Sequence, residues 1–164
     1  FLDRYVEIWN LVFMEFNFCE KGMKKLNVCC VDTGMGLERI SAVIQGVYDN
    51  YEIKIFKDLK ILIVDVLSQN ESFVYNNCFI NVISDHLRTA FLMIYHGIIP
   101  SNDGRAYVLR KIIRRASIYG KKLNIFGPFL YHLVSIIILK LEYYNFLLTR
   151  LQKLNHYPLQ LVLT

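Results

Sequence analysis

Val31-Asp32-Thr33-Gly34-Met35-Gly36-Leu37-Glu38-Arg39 breaks the pattern of the chain on either side of it. Ahead of it, Val28 to Val31 reads as a short apolar strand. Beyond it, Leu37, Ile40, Val43 and Ile44 fall at helical spacing as far as Gly46. Strand, glycine turn, helix is the local order. Gly34 and Gly36 let the backbone come close to a ligand or to a neighbouring strand. The helix that starts there offers free N–H groups and a positive dipole end. Arg39, about one turn in, has the fork geometry to grip a phosphate bidentately. Asp32, just before the turn, would hold an ammonium group. A tight strand–helix turn with a surface Arg–Glu pair carries the same letters, and a lone glycine pair does not choose between these readings.

Working outward, residues 3–18 (DRYVEIWNLVFMEFNF) are aromatic and β-branched with no Gly or Pro. They predict a long, well-buried strand, and periodicity alone leaves a helix open. Residues 20–27 (EKGMKKLN) read as a turn, so the two strands make an antiparallel hairpin. Residues 47–58 form a mixed, Tyr-rich connector, and the domain boundary is placed there, dividing 1–52 from 53–164. The remainder reads as mainly helical. Helices are expected over Leu59–Leu67, over Ile80–His96 (closed by Gly97), over Arg105–Tyr119 (ended by Gly120) and from Phe129 to about Leu148. A polar loop is expected over 68–78. Pro100-Ser101-Asn102-Asp103-Gly104 is a sharp turn in which Ser101 or Asn102 would cap the next helix. From Thr149 to Thr164 the pattern is weak, and poor order is expected. The fold class is α+β.

Hydrophobic residues make up 54% of the chain, enough for a real core and against a disordered tail. The longest apolar run, Leu130 to Leu141, is broken by His132, Ser135 and Lys140 and falls short of the ~20 residues a membrane span needs. The chain opens on Phe1 without a signal-peptide pattern, so it begins inside a longer protein or was processed. Cys19, Cys29, Cys30 and Cys78 show no CxxC spacing and read as reduced thiols of a cytoplasmic protein, with no metal or zinc site expected.

Charge is uneven: residues 1–52 carry a balance of −3 and residues 53–164 one of +8, matching the overall +5. Residues 101–122 hold Arg105, Arg110, Lys111, Arg114, Arg115, Lys121 and Lys122 against a single acid, Asp103. On a helix, Arg110 and Arg114 share a face, as do Lys111 and Arg115, while Leu109, Ile112, Ile113 and Ala116 form the side that docks to a core. Such a face tracks a phosphate backbone or is simply solvated, and charge alone leaves both open. Asn102, with a donor and an acceptor, reads a base edge or caps the helix. His86 and His96 read as buried or partly buried structural residues, and Arg88 as a partner of Asp85 or a support of the fold.

V-D-T-G-M-G-L-E-R resembles the third signature motif of class II aminoacyl-tRNA synthetases in its alanine-specific form, the alanine–tRNA ligases. E-I-W-N-L-V-F-M-E-F-N resembles the strand before it, and the likeness continues through S-D-H-L-R-T-A-F and I-P-S-N-D-G-R-A-Y-V-L-R-K-I-I-R-R-A, fading after about Leu133. The resemblance implies the end of a class II antiparallel sheet in 1–52 and a helical domain recognising the tRNA acceptor stem in 53–164. It implies that Arg39, the catalytic arginine, contacts the ATP phosphates with Gly36 beside it. Asp32 would bind the amino group of alanine, Asn10 would help hold that substrate, and Gly34 would line a pocket kept small. Trp9 is either a further pocket wall or a core residue. Asn102, Arg105, Arg110, Lys111, Arg114 and Arg115 would meet the acceptor stem, where a G·U wobble pair marks the alanine tRNA. ATP and magnesium belong to the complete enzyme. Motifs one and two, the editing domain and the oligomerisation domain lie elsewhere in the family's chains, so this chain alone is expected to be inactive. The alternative is a non-catalytic tRNA-binding remnant, which would have no need to keep Asp32, Gly34 and Arg39 together.

Overall fold

The computed structural model describes residues 5–20 and 22–134. The chain forms two compact units, 1–53 and 54–164.

In the first unit, β1 (Trp9–Cys19) pairs antiparallel with β2 (Gly22–Met35), followed by α1 (Leu37–Gln45) and a short 3-10 turn, Asn50–Glu52. The expected turn at 20–27 is corrected: strand begins again at Gly22, and Lys24 and Lys25 stand opposite Asn17 and Phe16. Ladder hydrogen bonds form between backbones, so polar side chains do not stop a strand whose faces meet water. The register slips between Met14 and Phe16, where one residue of β1 faces a longer stretch of β2. β1 is also shorter than expected at its start. β2 ends at Met35 because Gly36 opens α1, and beyond the ladder the Gly36 N–H donates to Ile8 O at 3.2 Å. The expectation of a well-buried β1 fails: Phe13 is 73% and Phe18 82% exposed. A two-stranded ribbon has two faces, and the described residues of β1 are exposed on both.

The second unit holds α2 (Lys54–Leu67), α3 (Asn77–Tyr95) and α4 (Gly104–Lys122), with α3 packed on both of the others. α2 starts before the expected Leu59 because Phe56 extends the buried stripe of Leu59, Ile63 and Leu67, and Lys54 pairs with Asp58 one turn on at 2.8 Å. α3 starts before Ile80 because the Asn76 side chain accepts from Phe79 N–H at 3.2 Å. Leu87, Phe91, Leu109, Ala116 and Leu133 belong to one core cluster in this unit. Helix resumes at 130; the expected helix to Leu148 and the tail from Thr149 lie outside the described residues.

Gly120 does not end α4, which runs on to Lys122. The stop is Asn124, left-handed at φ 62, with Asn124 N–H bonded to Lys121 O and Ile125 N–H to Gly120 O, each at 3.0 Å. That pairing is a Schellman motif with Asn in the usual glycine place. Gly120 serves packing instead: a Cβ there would lie 2.2 Å from Cε1 of the buried Phe129 ring. Alanine in place of glycine favours a helix by roughly 1 kcal/mol, whereas overpacking costs about 1–3 kcal/mol. Gly120→Ala is therefore expected to lower the urea midpoint, and adding Phe129→Leu to restore part of it. A raised midpoint in the single variant would mean that the ring yields freely.

Candidate functional site

The ribbon register sorts the candidate residues of the first unit. Asn10 stands directly opposite Gly34, and Val12 opposite Asp32. Side chains alternate along a strand and opposed residues share a face, so Asn10, Gly34 and Asp32 lie on one face, with Asp32 about 7 Å along from Gly34. All three are exposed. A Cβ on Gly34 would meet nothing within 4 Å, and its φ is not in the left-handed range. Neither sterics nor backbone conformation within the chain demands glycine there.

Trp9 lies on the opposite face, so it does not line the Asn10 face, and at 52% exposure it is not a core residue either. Its Nε1–H donates to Thr33 Oγ1 at 2.5 Å, and the Thr33 hydroxyl donates to Asn10 O at 3.1 Å. Thr33, which the sequence reading passed over, thus ties β1 to β2 beside Asn10. The signal was a hydroxyl inside the glycine-turn motif, one residue from each of its neighbours Asp32 and Gly34.

Arg39 reaches back across the turn, and one guanidinium N–H donates to Glu7 O at 2.5 Å. Its path runs over Gly36: a Cβ at that position would sit 3.3 Å from Arg39 Cδ. Glycine at 36 therefore leaves room for the side chain to lie along the turn. A guanidinium has five donors, so four remain for a ligand. Arg39 bonds a backbone carbonyl, not the carboxylate of a surface Arg–Glu pair.

In the second unit, Asn102 does not cap α4. Asp103 is the N-cap residue and makes no side-chain cap bond, while Ser101 Oγ accepts from Asp103 N–H at 3.3 Å. Asn102 Oδ1 instead accepts from Arg110. Arg105, Arg110, Lys111, Arg114 and Arg115 are all exposed, and none has an acidic partner among the described residues. Leu109 and Ala116 are buried on the other side of the helix. Lys111 Nζ lies 4.7 Å from the Tyr107 ring centroid, and the Arg115 guanidinium 5.8 Å from that of Tyr119. Both aromatics were missed in the sequence, although each stands four residues from its cation.

His86 bonds Asp85 through Nδ1 at 3.0 Å with its side chain 13% exposed, whereas His96 is exposed, contrary to expectation, because it caps α3. Arg88 lies 5.3 Å from the Phe56 ring centroid. Among the described residues the four cysteines are free and exposed, no three His, Cys, Asp or Glu side chains group to hold a metal, and no helix is long and apolar enough to cross a membrane.

Comparison with known proteins agrees with the motif. The family model "tRNA synthetases class II (A)" matches residues 2–156. The alanine–tRNA ligase of Vesicomyosocius okutanii is 49% identical over 141 residues, covering 85% of this chain and 16% of that protein. That of Blochmanniella floridana is 46% identical over 142 residues, with 86% and 16% covered. That of Legionella pneumophila strain Paris is 51% identical over 137 residues, with 83% and 16% covered. The chain thus spans about 16% of the length of these relatives. With its motif on a ribbon–turn–helix and the family model matching nearly end to end, the chain belongs to the class II tRNA synthetases, in the branch of the alanine–tRNA ligases.

Proposed function

We propose that this chain supplies part of the alanine-activating site and the acceptor-stem face of an alanine–tRNA ligase. The reaction joins an alanine carboxylate oxygen to the α-phosphorus of ATP and releases pyrophosphate. The ribose hydroxyl at the tRNA 3′ end then attacks the alanyl carbonyl and AMP leaves, which charges the tRNA for protein biosynthesis. The carrying observation is the register that sets Asn10, Gly34 and Asp32 on one face of the ribbon. Asp32 would hold the ammonium of alanine and Asn10 would orient the substrate. Gly34 would leave space for a methyl side chain and little more. Size exclusion of larger amino acids is easy in such a pocket, while serine and glycine differ by only about 1–3 kcal/mol. Arg39, steadied by Glu7 O, would meet the developing charge on the phosphates, with Gly36 giving the backbone room beside the nucleotide.

Among the described residues no three His, Cys, Asp or Glu side chains group to hold a metal, so magnesium would be held by other parts of the complete enzyme. The exposed apolar ribbon suits a wider sheet built from the rest of a ligase. The second unit would serve as the tRNA-recognition domain, with Arg105, Arg110, Lys111, Arg114 and Arg115 along the stem and Asn102 at the head of α4. Cytoplasmic residence follows from this role.

The test is a graft. This segment replaces its counterpart in the Legionella pneumophila ligase, and alanine-dependent ATP–pyrophosphate exchange is measured. The graft is expected to be active and the chain alone inactive. Gly34→Ala in the graft should raise the KM for alanine about tenfold while leaving the unfolding midpoint unchanged, since the added methyl meets nothing in the chain. A graft that binds acceptor stems but never exchanges pyrophosphate would point to the non-catalytic remnant.

A further inference from the structure

Arg110 lies eight residues beyond Asn102, yet the two side chains are bonded. The Arg110 side chain runs back toward the start of α4, the direction in which helical Cα–Cβ bonds tilt. A guanidinium carries only donors, so its partner on Asn102 has to be the carbonyl oxygen. The amide cannot be turned over without losing that bond. Its Nδ2 group, with two N–H donors, has no partner among the described residues, and Asn102 is exposed. The helix cap does not use the side chain either.

We propose that Arg110 is a positioning residue that fixes the polarity of Asn102, so that Asn102 offers donors and reads an acceptor in the shallow groove of an RNA stem. Pyrimidine O2, purine N3 and the ribose 2′-hydroxyl are the acceptors found there. The inference rests on the reading of α4 as the acceptor-stem face, and it removes Arg110 from the set that grips phosphate. A wobble pair shifts its pyrimidine relative to a G·C pair and so moves O2. A fixed pair of donors senses that displacement, whereas a freely turning amide adapts to it.

The experiment titrates the 164-residue chain with two acceptor-stem duplexes that differ only in G·U against G·C, over a series of salt concentrations. Asn102→Ala is expected to erase a preference of about tenfold, the scale of one base-pair contact. Arg110→Met should erase the same preference while leaving the salt slope unchanged, and the double variant should lose nothing more than either single one. Asn102→Asp keeps an acceptor for Arg110 but replaces the donors, so it should lose the preference as alanine does. Thermal melts show whether each variant is folded. Arg110→Met with the preference intact and a salt slope reduced by about one would make Arg110 a phosphate ligand and overturn the proposal. A preference retained by Asn102→Asp would show that the oxygen reads, which overturns it as well. In both cases Arg114→Ala still weakens binding, so the acceptor-stem reading survives. If neither Arg114→Ala nor Asn102→Ala changes anything, that reading falls and this inference with it.

Discussion

Arg39→Ala in the grafted ligase is expected to cut alanine-dependent ATP–pyrophosphate exchange by about 10²–10³-fold, the usual loss when one preorganised donor to a developing charge is removed. The loss should fall on kcat more than on the KM for ATP, because charge on the phosphates grows toward the transition state. Arg39 is exposed and its only described anchor is one hydrogen bond to Glu7 O, so the fold has little to lose. Arg39→Lys should recover only a part, since a point charge cannot make the bidentate contact. Gly36→Ala gives an independent reading of the same geometry. The new Cβ would press on Arg39 Cδ at 3.3 Å, a tight contact that the side chain relieves by leaving the turn. A smaller fall in kcat is expected there, with ATP affinity nearly unchanged. Exchange within threefold of the graft for Arg39→Ala would remove Arg39 from the chemistry.

How far the sequence could be read depended on whether local identity or packing made each decision. α1 was legible because the apolar spacing from Leu37 acts within a few residues, whereas the expected glycine turn over Asp32–Gly36 is corrected: β2 runs on through Asp32, Thr33 and Gly34 to Met35, held by the ladder to β1, and Gly36 alone separates it from α1. The common face of Asn10, Gly34 and Asp32 was not stated in advance, but it follows from alternation once the pairing is known. The segments of α2, α3 and α4 were legible as helices, and Leu109 and Ala116 as part of the docking side of α4, whereas the helix ends were not. Asn76 and Asn124 act as boundary residues through side-chain bonding and a left-handed backbone, properties that Asn shares with many loop positions. Gly120 misled because glycine near a helix end usually marks a stop, while here its missing Cβ makes room for Phe129, a contact that only tertiary structure reveals. The polar residues of β2 misled in the opposite way, since the exposed ribbon exerts no demand for apolar side chains. The bond between Asn102 and Arg110 spans two turns and has no spacing signature.

The basic face of α4 invites the second large effect. Replacing both Arg114 and Arg115 by alanine in the 164-residue chain is expected to weaken binding to an acceptor-stem duplex by up to about 60-fold at about 0.1 M salt. The figure comes from counterion release at roughly 0.9 log unit per phosphate contact for each tenfold in salt. The slope of log K against log salt should become shallower by roughly 1.8, so parent and variant converge as salt rises. Both guanidinium groups are exposed and without acidic partners among the described residues, which leaves them available to phosphate. Arg115 also rests near the Tyr119 ring, a contact that holds the side chain out along the helix and limits the entropy lost on binding. The preference for a G·U stem should survive if, as proposed, these positions grip backbone while Asn102 reads the groove. Leu109 and Ala116 anchor the opposite side of the helix, so truncating the exposed arginines should leave the melting temperature near that of the parent. An unchanged salt slope would identify the arginines as merely solvated charge, and the positive balance of residues 53–164 would then need another explanation.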